Sequence, residues 1–208
     1  MIATQFAQQL LQVACIKLQP EQPFTWASGW KSPFYCDNRK TLDYPEVRTF
    51  VKQQLADIVR RQYPQATAIA GVATGAIAQG ALVADELGLP MCYVRAKAKD
   101  HGMGNLIEGT LPEGAKVVVV EDLISTGGSS LKAVEALRAA GFEILGMVAA
   151  FTYGFPVATE AFSAANVELT TLTNYEAVVE AALASGYIAE SHKPLLEAWR
   201  QSPSTWGQ

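Results

Sequence analysis

KVVVVEDLISTGGSS, residues Lys116 to Ser130, decides how the whole chain is read. Four consecutive valines, Val117 to Val120, are too apolar for a strand with one wet face and suit the interior of a parallel sheet covered on both sides. The strand ends in two carboxylates, Glu121 and Asp122. It then passes through Leu123 and Ile124 into a loop of small residues, Ser125-Thr126-Gly127-Gly128-Ser129. Leu131, Val134, Leu137 and Arg138 then take up helical spacing, so the order is strand, loop, helix. Such a loop leaves several backbone N–H groups unpaired at a helix entrance, and they converge on one spot suited to phosphate. The acids stand at the carboxyl end of the strand, where open α/β sheets bind ligands. Beside a phosphate cradle, carboxylates suit an electropositive or hydroxylated group, either ribose 2′- and 3′-OH groups or a magnesium ion. The combination reads as a site for a ribose 5-phosphate. The plain alternative is a βα turn with a Ser or Thr N-cap and acids in solvent.

On either side of this stretch, buried strands alternate with helices. Pro45 and Glu46 open a helix that carries Val47, Val51, Leu55 and Val59 and ends before Pro64. Ala66 to Val72 is a buried strand that turns through Ala73-Thr74-Gly75-Ala76 into a helix containing Ala78, Ala81, Leu82 and Leu87. Strands follow at Met91 to Val94 and Ile144 to Phe151, and alternation around Val167, Leu169 and Leu172 suggests a last one. Helices are expected over Tyr175 to Ser185 and around Leu195 to Trp199. The spacing predicts an opening helix over Ile2 to Leu18. This pattern is that of a doubly wound, mostly parallel central sheet flanked by helices.

Composition narrows the class. The 208 residues are 50% hydrophobic, enough to bury the core of one domain. A formal net charge of −4 argues against nucleic-acid binding, which needs a basic face. No apolar run reaches membrane-spanning length, and Gln8, Gln9 and Gln12 interrupt the opening segment, unlike a signal peptide. Cys15, Cys36 and Cys92 are odd in number and lack ligand or redox spacing, so they read as reduced thiols in cytoplasm.

Two further stretches carry chemistry. Glu21 to Lys40 is dense in aromatics, Gly and Pro, and reads either as a slot for a planar base or as a small packed lobe. Arg95-Ala96-Lys97-Ala98-Lys99-Asp100-His101-Gly102-Met103-Gly104 gathers three cations and a histidine between hinge-permitting glycines. A solvated basic hairpin is the plain reading. Neutralising a departing diphosphate is the functional one.

The valine strand, acid pair and S-T-G-G-S loop resemble the phosphoribosyl diphosphate (PRPP) binding motif of the type I phosphoribosyltransferases. Phe24, Ser28, Gly29, Ser32, Pro33, Tyr35, Asp37 and Arg39 are similar to the N-terminal hood of the orotate phosphoribosyltransferases, and the cationic stretch to their catalytic loop. The resemblance implies the type I phosphoribosyltransferase fold as a single domain over residues 1–208, with residues 1–40 forming a helix and a small hood at the acceptor site. It implies that PRPP meets Arg95, Lys97, Lys99, His101, Glu121, Asp122, Leu123, Ile124, Ser125, Thr126, Gly127, Gly128 and Ser129. Catalysis would fall to Lys99, His101 and Asp122, and orotate would meet Ser28, Tyr35, Cys36, Ser125 and Tyr153. Mg²⁺ would arrive on PRPP, touching Asp122 at most through water. The loop 95–104 would reach a second copy's site, which implies a homodimer. Gly75 stands where many members place a lysine, Ala96 where some do, and Tyr153 where an arginine is common. A transferase for another nucleobase and a non-catalytic PRPP-sensing regulator are the alternatives. The second usually carries a basic DNA-binding domain, for which an acidic chain of this length has no room.

Overall fold

A computed structural model describes residues 1–26, 28–97 and 106–207. In chain order the elements begin with helix α1 (Ile2–Gln12) and strands β1 (Ile16–Leu18), β2 (Phe24–Thr25), β3 (Lys31–Ser32) and β4 (Phe34–Cys36). A 3-10 segment, Asn38–Asp43, leads to α2 (Pro45–Gln62), β5 (Ala68–Val72), α3 (Ile77–Leu87), β6 (Met91–Val94) and β7 (Ile107–Glu108). The chain continues with β8 (Lys116–Ile124), α4 (Gly128–Ala139), β9 (Glu143–Thr152), α5 (Pro156–Ala164), β10 (Leu169–Asn174), α6 (Tyr175–Ala184) and α7 (Lys193–Gln201). Two compact units result, one of Met1–Pro45 with Thr173–Gln208 and one of Glu46–Leu172.

The larger unit holds the sheet, ordered β10-β9-β8-β5-β6-β7. β5 runs parallel to both β6 and β8, and β8 runs parallel to β9, while β7 pairs antiparallel with β6. Burial explains the valine run. Successive strand residues face opposite sides, and Val117 to Val120 are all fully buried because both sides are covered. Ala68, Ala70, Val117, Val119, Met147 and Ala149 pack with Ala133, Val134 and Leu137 of α4 and with Phe162 of α5. On the opposite side α3 lies close to β5, since a Cβ on Gly80 would meet the Gly71 Cα at 3.1 Å. From β5 the chain moves one way to β6, and from β8 the other way to β9. The order therefore reverses between β5 and β8, and the carboxyl ends of those two strands form the topological switch point at which doubly wound sheets bind ligands.

Apart from β7 and from α5, for which no helix was expected, the sheet strands and their helices form within a few residues of the positions the sequence suggests, and the differences have local causes. β8 continues through the acid pair to Ile124 because Glu121, Leu123 and Ile124 stay in register with Ala149, Phe151 and Thr152 of β9. β7, not expected from the sequence, is only two residues long, too short to show periodicity. The opening helix is a correction: it stops at Gln12 and does not run to Leu18. Ala14 takes a positive φ of 52°, and Ile16, Lys17 and Leu18 pair antiparallel with Cys36, Tyr35 and Phe34. Ile16 and Leu18 are buried with Lys17 between them, a period of two that satisfies a strand as well as a helix.

The smaller unit joins the N-terminal hairpins to the last two helices, a pairing that no local pattern announces. Trp199 of α7, fully buried, sits edge-on to Trp26 at 5.7 Å and against Tyr175 at 5.4 Å. Its indole N–H donates to the Lys31 carbonyl at 3.0 Å. Trp26 in turn stacks on Trp30 and donates to the Phe34 carbonyl. Trp199→Ala is expected to destabilise the protein by about 3–5 kcal/mol through the cavity left behind. Trp199→Phe, which keeps much of the ring but leaves the Lys31 carbonyl without its donor, should cost about 1–2 kcal/mol. Urea unfolding midpoints of the two variants check both values.

Candidate active site

At the carboxyl end of β8 the chain turns through Ser125, Thr126 and Gly127 into α4, whose first turn begins at Gly128. Gly127 adopts φ 81°, and a Cβ there would come within 2.8 Å of the Phe162 ring, so both backbone and packing demand glycine. The Gly127 carbonyl accepts from Leu131 N–H at 2.9 Å, starting the helix. The first N–H groups of α4 have no acceptor within the helix and point out of its N-terminus, where the helix dipole adds to their attraction for an anion. Thr126, Gly128 and Ser129 are exposed there, and Ser125 is half-buried.

The two acids take different positions. Glu121 lies inside, only 4% exposed. Its Oε2 accepts from the Ser130 hydroxyl at 2.8 Å and its Oε1 from the Asp122 backbone N–H at 2.9 Å. Asp122 is half-buried, and its carboxyl lies near enough to that of Glu121 to share a hydrogen bond with it. Its carboxylate rests where a side chain on Gly75 would be, since a Cβ on Gly75 would lie 2.1 Å from Asp122 Oδ2. The switch point thus brings the β5–α3 turn directly against the second acid of the pair. Sequence reasoning assigned no role to Ser130 or to Gly75 beyond a missing lysine. The signal for Ser130 was its place on the inward face of α4 with Ala133, Val134 and Leu137.

Among the cations, Arg95 is half-buried and pairs with Glu108 of β7 at 3.2 Å, and its backbone N–H donates to Leu106. Lys97 is exposed. Lys99 and His101 lie outside the described residues.

Of the residues expected at the acceptor, Ser28, Tyr35 and Cys36 belong to the smaller unit, and Ser125 and Tyr153 to the larger. Ser28 is exposed in the β2–β3 turn and accepts weakly from the Trp30 N–H at 3.5 Å. Tyr35 is 37% exposed beside Phe24, and the Cys36 thiol donates to Asn38 Oδ1. Tyr153 is 3% exposed, stacked on Phe155 and edge-on to Phe151, so it takes part in aromatic packing at the end of β9. Arg39 forms a two-bond pair with Asp37, at 2.7 and 3.1 Å, which holds the Asp37 carboxyl below its usual range. Burial raises the Cys15 and Cys92 thiols to about 12 and about 11, leaving them protonated and unreactive. Among the described residues no three potential ligands cluster to hold a metal ion, and no helix is long and apolar enough to cross a membrane.

Residues 43–184 match the family model of the phosphoribosyl transferase domain, so fold and site together define a phosphoribosyltransferase. Over 201 residues the chain is 67% identical to an orotate phosphoribosyltransferase of Phocaeicola vulgatus, covering 97% of this chain and 95% of that one. It is 51% identical to an orotate phosphoribosyltransferase of Listeria innocua across 100% of this chain and 99% of the relative. The crystal structure of orotate phosphoribosyltransferase from Aeropyrum pernix superposes with a TM-score of 0.77 at 28% identity, over 88% of this chain and 99% of that chain. The chain belongs to the orotate phosphoribosyltransferase family.

Burial pushes the Glu121 carboxyl well above its ordinary 4.5, and the Asp122 charge adds to the shift. The folded protein therefore keeps a proton that the unfolded chain releases, so stability falls as pH rises from 4.5 towards the raised value. Glu121→Gln, neutral and of the same shape, removes that slope. Its unfolding midpoint should match the parent below pH 4.5 and exceed it increasingly above, which thermal unfolding between pH 4 and 8 checks.

Proposed function

We propose that the chain transfers the 5-phosphoribosyl group from PRPP to orotate, giving orotidine 5′-monophosphate and diphosphate, a step of pyrimidine synthesis. The observation that carries this reading is the helix-entrance loop 125–129 at the switch point, beside Glu121 and Asp122 and opposite the β5–α3 turn.

The reacting centre is the anomeric carbon. As its bond to diphosphate lengthens, positive charge grows on the ribose and negative charge on the leaving group. No covalent nucleophile is needed. Backbone amides from Thr126 to Ser129 fix the 5-phosphate, and Leu123 and Ile124 carry the chain up to them. Asp122 holds the ribose hydroxyls and favours positive charge on the ring, with Glu121 behind it. Arg95, Lys97, Lys99 and His101 draw over the leaving diphosphate and exclude water, which would otherwise hydrolyse the activated sugar. For Arg95 this means exchanging Glu108 for phosphate. For the planar acceptor the larger unit offers Ser125 and Tyr153, and the smaller unit offers Ser28, Tyr35 and Cys36. Lys31, whose ammonium donates to the neutral Thr25 hydroxyl, suits the orotate carboxylate better than Arg39, which already holds Asp37.

Mg²⁺ would arrive on PRPP and take most of its ligands from phosphates and water, with Asp122 meeting it through water. When bound, it neutralises charge on the diphosphate. The loop 95–104 acts in the site of a second copy, so the working unit is a homodimer. A cytoplasmic setting suits Cys15, Cys36 and Cys92, which are free thiols.

Addition of PRPP and Mg²⁺ should remove the ultraviolet absorbance of orotate, and uracil or a purine base should not be consumed. Lys99→Ala is expected to lower turnover by roughly a hundredfold. If the loop works across the dimer, co-expressing Lys99→Ala with Asp122→Asn should restore turnover that neither variant shows alone. Consumption of another base, or no recovery on co-expression, would count against the acceptor or the dimer respectively.

A further inference from the structure

We propose that Glu108 is a positioning residue that occupies Arg95 whenever no diphosphate does, so that PRPP and the departing diphosphate each bind in competition with a carboxylate of the protein itself. The inference rests on the reading that Arg95 meets the diphosphate group.

Strand register brings the pair together. β7 runs antiparallel to β6 with Glu108 opposite Tyr93 and Ile107 opposite Val94, and the Arg95 backbone N–H donates to the Leu106 carbonyl at 2.8 Å. Arg95 follows Tyr93 by two residues, so its side chain leaves the same face as that of Glu108, on the diagonal that long side chains can span. Arg95 Nη1 stands 3.2 Å from Glu108 Oε1. Nothing in this placement waits for a ligand. β7 is the last strand of the sheet and is held tightly to β6, since a Cβ on Gly109 would lie 3.2 Å from both the Cys92 Cα and the Met91 carbonyl oxygen. The two side chains are 35% and 25% exposed, so solvent partly screens their attraction and an anion arriving from solution can reach the guanidinium. A diphosphate carries several negative charges where Glu108 carries one, and holding both on one guanidinium would press like charges together. Binding therefore exchanges the carboxylate for phosphate, and release exchanges it back. Because Glu108 is tethered beside Arg95, it returns at a high effective concentration as soon as the diphosphate begins to leave.

Equilibrium titrations of the full chain with PRPP, with inorganic diphosphate and Mg²⁺, and with orotidine 5′-monophosphate test the proposal. Glu108→Gln, neutral and of the same shape, is expected to bind PRPP and diphosphate about fivefold more tightly, the upper end for a partly exposed ion pair. Orotidine 5′-monophosphate, which has no diphosphate group, should change by less than about twofold. Glu108→Thr, uncharged and suited to a strand, should tighten binding in the same way and serves if Glu108→Gln folds poorly. In an Arg95→Ala background Glu108→Gln should alter diphosphate affinity by less than about twofold, because a residue that acts through Arg95 has no effect without it. A carboxylate that merely braced the edge strand would weaken binding when removed. Weaker or unchanged diphosphate binding in both Glu108 variants, equal tightening of orotidine 5′-monophosphate, or the full gain persisting in the Arg95→Ala background would overturn the proposal. If Arg95→Ala alone leaves diphosphate affinity unchanged, the assignment of Arg95 to the diphosphate fails and takes this inference with it, whereas a failure to consume orotate would strike at the reaction itself.

Discussion

The site depends on a carboxylate that the sheet carries into the protein interior. Glu121 is a strand residue, in register with Ala149 of β9 and facing the same layer as Val117 and Val119. An uncompensated charge there would cost several kcal/mol, so the chain must either protonate it or surround it with donors. It does both. Burial favours the protonated form, and the Ser130 hydroxyl and the Asp122 amide occupy the two oxygens. These bonds tie the last turn of β8 to the first turn of α4, so the residues between, 122 to 129, close a short loop with both ends fixed. A phosphate cradle made of backbone amides needs such fixing, because its donors carry no side chain to adapt.

The same strand end gains its second neighbour from topology. The reversal of strand order places β5 beside β8, and the turn after β5 therefore meets Asp122, as the missing Cβ of Gly75 shows. Electrostatic stabilisation of a charge that develops only as a bond breaks depends on groups already in place. Here hydrogen bonds from Ser130 of α4 and from the Asp122 amide hold the Glu121 side chain, and neither requires a ligand. The cations are arranged differently. Arg95 is held by Glu108 of the edge strand and must exchange one anion for another to act on a diphosphate.

Much of the larger unit was legible because its signals are local. Four valines in a row cannot be wet, the glycine pair after Ser125-Thr126 cannot continue a strand, and Pro45 with Glu46 suits a helix start, so β8, α4 and α2 follow from neighbours in sequence. The smaller unit was less legible, for two reasons visible in particular residues. Ile16-Lys17-Leu18 satisfies both a helix and a strand pattern, and only pairing with Phe34, Tyr35 and Cys36 selects the strand. Trp199 reads as one apolar position of a C-terminal helix. That it buries itself against Trp26 and caps the Lys31 carbonyl depends on a chain approach of more than 160 residues, which no window contains.

By itself the sequence determined the order of strand, loop and helix around Lys116 to Ser130, the alternation that makes a parallel sheet, and the residue types able to meet a phosphorylated sugar, because each rests on contacts within one or two turns. Only the tertiary structure decided what surrounds the two acids, Ser130 beside Glu121 and the bare Cα of Gly75 beside Asp122, with each carboxyl against the other. Those partners are set by which strands adjoin and which helix covers them, and a carboxylate's neighbours in space are what fix its charge and its aim.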